Sequence, residues 1–310
     1  MRGGSRAFSL LKVLALLAVI SSGVFYYLTR PAVILAEAFT AYTPDLKNGE
    51  TMYNAGGCAS CHATTGQDDK RLLGGGLEMK TDFGTFHAPN ISPDPVHGIG
   101  AWTEQDFANA MLRGVGKQGE HLYPSFPYAS YQRMALTDVR DLYAFMRTLP
   151  AEPKPSAEHD LPFPFNIRRG LGLWKLAYLD GKPFQPDPAR DAAWNRGAYL
   201  VEGPGHCAEC HSKRDLLGGI VPDGRFAGGP DPEGKGWIAN ITPHADGLAD
   251  WSQADIAELL ASGFTPEYDS VGGTMADVVA NTAKLSAEDR ASMAAYLKSL
   301  PARPGKRPAS

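Results

Sequence analysis

Cys58-Ala-Ser-Cys61-His62 and Cys207-Ala-Glu-Cys210-His211 use every cysteine of the chain. A CxxC on one helical turn presents two thiols to one side, at the spacing of a porphyrin's two vinyl groups, and the histidine that follows lies beneath the iron as an axial ligand. The pattern predicts two covalently bound c-type haems, with Cys58, Cys61, Cys207 and Cys210 forming the thioethers and His62 and His211 coordinating iron. Structural zinc uses the same residue types, but its cysteine pairs stand about 15–20 residues apart. Here 145 residues separate Cys61 from Cys207. A thioredoxin-like dithiol needs a βαβ setting, and neither motif follows a β-branched strand run.

Outward from the two motifs the chain repeats itself. Cys58, Cys61 and His62 recur 149 residues later, as do Trp102 (Trp251) and Gly114 (Gly263). Asn90-Ile91-Ser92-Pro93 recurs as Asn240-Ile241-Thr242-Pro243 at an offset of 150, and Thr148-Leu149-Pro150 as Ser299-Leu300-Pro301 at 151. Two units of one fold in tandem are expected. In each, a capping-box pattern follows the tryptophan, Thr103 to Asp106 and Ser252 to Asp255. A final helix closes each unit. Thr137 is expected to cap the first, which carries Val139, Leu142, Tyr143, Met146 and Leu149 at helical spacing, and Ser286 the second, with Met293, Tyr296, Leu297 and Leu300. The fold class is all-α with long glycine- and proline-rich loops, in which a macrocycle replaces much of the apolar core.

The expected organisation is an N-terminal anchor over 1–36, a first haem domain over 37–150, a connector over 151–193, a second haem domain over 194–301 and a disordered tail over 302–310. Seven prolines between Pro153 and Pro188 make the connector read as extended chain, although Phe163, Phe165, Leu171, Leu173 and Trp174 are too apolar to float free. At the N-terminus Arg2, Arg6 and Lys12 precede the uncharged, sixteen-residue run Val13 to Leu28. No small-residue cleavage site follows directly. A retained membrane anchor is expected, with the haem units outside a bacterial cytoplasmic membrane, the alternative being a cleaved signal and a soluble periplasmic protein.

Composition excludes other classes. In 310 residues, 43% hydrophobic and 21% charged side chains are globular values. The net charge of −4 hides an acidic body: without Arg2, Arg6, Lys12, Arg30, Arg303, Lys306 and Arg307, 23 bases face 34 acids, or −11. Nucleic acid is therefore not a partner, since it demands clustered Lys and Arg.

The motifs together with Pro89-Asn-Ile-Ser-Pro-Asp94, Gly98-Ile-Gly-Ala-Trp102 and His121-Leu-Tyr-Pro-Ser-Phe-Pro-Tyr128 resemble the cytochrome c subunits of membrane-bound bacterial alcohol, aldehyde and sugar-acid dehydrogenases, over about Leu46 to Pro301. The resemblance implies class I cytochrome c domains, two here where those subunits typically carry three. It also implies periplasmic exposure, a dehydrogenase or other periplasmic donor, and a quinone, a cytochrome or a terminal oxidase as acceptor.

Sixth ligands set the potential and decide whether the iron is open. Met275, after Gly272-Gly273-Thr274 in a polar loop, is the expected ligand of the second haem. The corresponding position in the first unit is Phe126, where the family usually has Met in a YPxMPY run, and phenylalanine cannot ligate iron. His87, His121, Met134 or no ligand at all remain for the first haem. Trp102, Trp251, Asn90 and Asn240 are expected at the haem edges, with indole or amide donors toward propionates. Gly74-Gly75-Gly76 and Gly228-Gly229 read as turns that let backbone approach the porphyrin. Electron transfer without substrate chemistry is the leading function. A dihaem peroxidase-like enzyme or a gas sensor with an open first haem is the alternative.

Overall fold

The computed structural model describes residues 3–231, 234 and 236–305. Along the chain run α1 (Gly3–Leu28), α2 (Leu46–Ala55), α3 (Cys58–His62), a hairpin of β1 (Glu78–Thr81) and β2 (Gly84–His87), α4 (Glu104–Arg113), α5 (Tyr128–Tyr131) and α6 (Leu136–Met146). Then follow α7 (Leu171–Tyr178), α8 (Ala192–Glu202), α9 (Cys207–Cys210), a short hairpin of β3 (Gly229–Pro230) and β4 (Trp237–Ile238), α10 (Gln253–Ser262), α11 (Thr274–Thr282) and α12 (Ala287–Lys298). The structure is mostly helical, and both hairpins are antiparallel and stand apart from each other.

The helix ends follow local chemistry. Thr103 and Ser252 each accept from the backbone N–H three residues on, while Asp106 and Asp255 reach back to the cap residue's own N–H. Gly114 and Gly263 close those helices at φ +59° and +81°, a left-handed conformation that costs a residue with a Cβ. Ser286 caps α12 as expected. Thr137 does not cap α6: the cap position is Ala135, which has no side-chain oxygen, and its N–H donates to Tyr199 Oη at 3.1 Å instead. A tertiary contact with α8 has replaced the local cap.

Two helix pairs carry the packing, α2 against α6 and α8 against α12. Each crosses at a glycine. A Cβ on Gly49 would stand 2.2 Å from Asp141 O, and one on Gly197 would stand 1.9 Å from Ser292 O. The backbones therefore touch, and around the crossings Met52, Val139 and Leu142, and Leu200, Val201 and Met293, are buried. Asp141 reinforces the first crossing by accepting from Tyr42 Oη, Asp45 N and Asn48 Nδ2, all at 2.8 Å.

Two expectations are corrected. The connector is not extended throughout, because Arg168 to Tyr178 contains no proline and forms a 3-10 turn followed by α7. The tail does not leave the fold at 302. Arg303 O accepts from Asn240 Nδ2 at 2.8 Å and Gly305 N–H donates to Asp246 at 3.2 Å, while residues 306–310 lie outside the described residues. The uncharged run Val13 to Leu28 lies within a longer apolar window, Ser9–Leu28, 20 residues that include Lys12, about 30 Å at 1.5 Å per residue, which matches a bilayer's hydrocarbon core.

Replacing Gly197 by Ala should force α8 off α12 and lower the unfolding free energy by about 1–3 kcal/mol. Gly49→Ala should do the same at the other crossing. The check is the denaturant midpoint of each holoprotein, and an unchanged midpoint would show that the crossings yield freely.

Candidate haem sites

Each attachment turn is fixed by the same two backbone contacts. His62 Nδ1–H donates to Pro89 O and His211 Nδ1–H to Ala239 O, both at 2.8 Å. The two histidine carbonyls accept from Gly75 N–H and Gly228 N–H, both at 2.9 Å. Gly75 and Gly228 hold φ +68° and +74°, and a Cβ there would meet the carbonyls of Ala88 and Ile238 at 2.3 and 2.5 Å. Glycine is thus required where the chain folds back to grip the histidine.

With Nδ1 committed as donor to a carbonyl, the lone pair is left on Nε2, the tautomer a metal ligand needs. Burial pushes both imidazoles below their ordinary pKa, with the carbonyl bond opposing, so the rings stay neutral. Burial pushes the Cys58 and Cys207 thiols up to about 12. That is opposite to the depressed pKa of a reactive dithiol. No disulfide joins the four cysteines, and among the described residues no three His, Cys, Asp or Glu side chains converge as a zinc site requires. Tyr53 Oη is buried without a hydrogen-bond partner. Paired thiols, a neutral Nε2 and a buried unmatched hydroxyl fit a covalently held haem.

The distal elements also repeat. Val115 bridges His121 and Phe264 bridges Ser270, the same offset of 149 that equates Phe126 with Met275. Met275 is half-buried at the start of α11, and Phe126 is half-buried with its ring 5.5 Å from that of Tyr131. Met134 precedes the cap of α6 as Leu285 precedes that of α12, and both are buried core residues, at 1% and 5% exposure. His87 ends β2, its N–H donating to His159 Nδ1 at 3.2 Å. His121 is taken up elsewhere: its Nε2 bonds Thr29 O at 2.8 Å, beside the end of α1.

The amide donors of Asn90 and Asn240 are spent on backbone carbonyls far along the chain. Asn90 Nδ2 donates to Glu152 O and Lys154 O at 2.6 and 2.8 Å, and Asn240 Nδ2 to Arg303 O. Their Oδ1 atoms accept from Ser92 N and Thr242 N, both at 2.8 Å. Each asparagine clamps the chain leaving the last helix of its repeat, a bond over 60 residues that sequence spacing alone does not reveal. Trp102 and Trp251 are half-buried against the core.

The two attachment turns lie against each other. Ser60, third in CASCH, accepts from Asn281 Nδ2 of α11 at 2.9 Å, and Glu209, third in CAECH, accepts from Ser130 Oγ of α5 at 2.7 Å. Each turn is thus bonded to the distal helix of the other repeat. Between them His206 Nε2–H donates to Gly56 O at 3.2 Å, and its ring meets Tyr131 edge-on at 5.5 Å. Sequence reasoning missed His206, although a signal was present. It stands where the first repeat has Gly57, and both take the left-handed backbone, at φ 39° and 55°.

A family model for cytochrome c matches residues 46–150. A "Diheme cytochrome c-type" protein of Cereibacter sphaeroides is 50% identical over 291 residues, 92% of this chain and 96% of its own length. The fructose dehydrogenase cytochrome subunit of Gluconobacter japonicus is 36% identical over 85% of this chain and 54% of its own. The cytochrome c subunit of a quinone alcohol dehydrogenase from Gluconacetobacter polyoxogenes is 38% identical over 86% and 59%. The chain spans nearly all of the first relative and little more than half of the two dehydrogenase subunits.

Asn240→Ala should strand two backbone carbonyl and amide contacts and cost about 1–3 kcal/mol of stability. The haem absorption spectrum of the folded protein should not change. A spectrum that shifts while the denaturant midpoint stays put would return this asparagine to the haem.

Proposed function

The chain belongs to the cytochrome c family, and from that premise we propose that it carries two haem c groups in tandem units. The units are residues 37–150 and 194–301, joined by the segment 151–193. It is an electron-transfer cytochrome. The proposed donor is a dehydrogenase at the outer face of a bacterial cytoplasmic membrane, and the acceptor is a quinone, another cytochrome or a terminal oxidase.

The observation that carries this reading is the ligand frame built twice, with each histidine Nδ1 on a backbone carbonyl and each histidine carbonyl on a left-handed glycine. Bound haem supplies the Fe(III)/Fe(II) couple; the polypeptide holds the ring, selects the histidine tautomer and excludes water. Cys58, Cys61, Cys207 and Cys210 are the proposed thioether positions, His62 and His211 the proximal ligands. Met275 is proposed as the second haem's sixth ligand, since its position is the register partner of Phe126 and its thioether stabilises Fe(II). Bonds between each attachment turn and the opposite distal helix support direct passage of electrons between the haems.

The relatives' names, cytochrome subunits and a diheme cytochrome, favour a carrier over a peroxidase-like enzyme or a gas sensor. Retention of α1 as an anchor is supported by its end. Thr29 is fully buried, accepting from Arg169 Nε at 2.8 Å through Oγ1 and from His121 through its carbonyl. A segment destined for removal has no need of bonds to the folded body.

Denaturing electrophoresis should leave two haems on the polypeptide, and a Cys58→Ala, Cys61→Ala double variant should keep one. Titratable native thiols in the denatured holoprotein would contradict this count. A redox titration should resolve two potentials. Met275→Ala should lower the higher by a sizeable part of the roughly 0.8 V over which axial ligands set haem potentials. Phe126→Met should raise the lower one. Equal potentials in the native protein would contradict the assignment. Membranes lacking the chain should no longer pass electrons from the donor dehydrogenase's substrate to oxygen, and unaffected respiration on every such substrate would remove the proposed role.

A further inference from the structure

The stretch Leu161 to Leu179 stands out in an acidic chain because it contains no Asp or Glu, while carrying Arg168, Arg169 and Lys175. It also exposes large apolar side chains: Phe163 at 78%, Leu176 at 61%, Ile167 at 49% and Leu173 at 45%. Scattered apolar exposure needs no explanation, but a contiguous apolar and basic stretch marks a surface that meets something.

Its place in the fold says what. The stretch is clamped to the membrane-proximal end of α1. Arg169 donates to Thr29 Oγ1 and Tyr26 O at 2.8 and 2.7 Å and lies over the Tyr26 ring at 4.2 Å. Gly172 sits so close under Thr29 that a Cβ would be 2.6 Å from Thr29 Cα. Tyr26 and Tyr27 are exposed, and Arg30 stacks over Tyr27 at 4.5 Å. Tyrosines with arginines at the end of an apolar helix form the belt found where a helix leaves the hydrocarbon for the headgroups. Anything fastened to Thr29 therefore stands at that depth. The second repeat joins the same surface: Trp174 Nε1 donates to Leu217 O at 3.0 Å, and Leu216 and Leu217 are 97% and 62% exposed.

We infer that Leu161 to Leu179, with Leu216 and Leu217, forms an apron, a second membrane contact that lies in the headgroup region of an anionic phospholipid bilayer beside α1. The inference rests on the reading of α1 as a retained anchor. An interfacial segment of this kind gains from apolar side chains at the acyl boundary and from cationic side chains near anionic headgroups; here half-buried Arg168 and Arg169 supply that charge, whereas burial pushes the Lys175 pKa down to about 7 and its ammonium faces the protein. Lys175 holds the apron to the first repeat by donating to Arg113 O and Gly114 O at 2.8 and 2.5 Å, so the contact orients the haem units as well as tethering them.

The test uses the full-length holoprotein in proteoliposomes of phosphatidylethanolamine doped with phosphatidylglycerol. Single cysteines are introduced as Phe163→Cys, Leu176→Cys, and, on surfaces away from the apron, Val96→Cys and Tyr268→Cys. Reaction with a membrane-impermeant sulfonated maleimide is followed by mass, each rate being taken relative to Val96→Cys. Positions 163 and 176 should react about tenfold or more slowly than 96 and 268. Equal rates in protein that resists carbonate extraction would overturn the apron and leave the anchor standing. Release by carbonate would overturn the anchor itself. Protection that appears only after adding the dehydrogenase would assign the surface to that protein and overturn a lipid occupant.

Discussion

A histidine whose Nδ1 is spent on a backbone carbonyl is the constraint on which the rest of this structure depends. A ring free to choose its tautomer, or free to rotate about its Cβ, offers a metal two nitrogens in many directions. Pro89 O and Ala239 O remove that choice. The carbonyls lie 27 and 28 residues after their histidines, so the intervening loop must return with small tolerance, and the left-handed glycines at 75 and 228 are where it turns. The hairpins, the Asn90 and Asn240 clamps and the buried Ser92 and Thr242 all serve to hold that returning strand in place.

The same economy explains why the repeats touch as they do. An attachment turn of five residues has few groups to spare, since the proposed haem would take both cysteines and the histidine. The third residue of each motif is the exception, and it is the one that reaches across: Ser60 to Asn281, Glu209 to Ser130. Arg214 fixes the other oxygen of Glu209 at 2.8 Å, so the carboxylate is held from both sides. The pairing is reciprocal in position but not in chemistry. A serine and an asparagine make the neutral version, a carboxylate and a serine the charge-assisted one, which is the stronger hydrogen bond.

How much of this is legible in the sequence follows from the range of each interaction. The CxxCH turns, the capping boxes at Thr103 and Ser252 and the glycine closures at 114 and 263 are decided within five residues or one short helix, and they are readable. The offset of 149 equates Met275 with Phe126 from the chain alone, because a repeat carries its own alignment. Failures cluster at long range. A donor near the ligand suggests that Asn90 and Asn240 face haem, yet their acceptors sit some 60 residues on. Thr137 has the residue type of a cap, but Tyr199 supplies a partner to Ala135 from 64 residues away. In the connector the prolines at both ends mask the proline-free octet that forms α7. His121 has the chemistry of a ligand, but Thr29, 92 residues earlier, claims it.

The internal repeat is kept in its histidine contacts and differs at the register pair Phe126 and Met275. The histidine sides of the two repeats share the same bonds, a backbone carbonyl on each Nδ1 and a left-handed glycine on each histidine carbonyl. The distal side tolerates change. Phe126 occupies its register position as a half-buried ring set edge-on to Tyr131, which in turn meets His206 of the other attachment turn. An aromatic chain, Phe126 to Tyr131 to His206, thus stands where the second repeat places a thioether. Phe126 thus belongs to the packing between the repeats, through Tyr131 and His206, at the position where the second repeat has Met275.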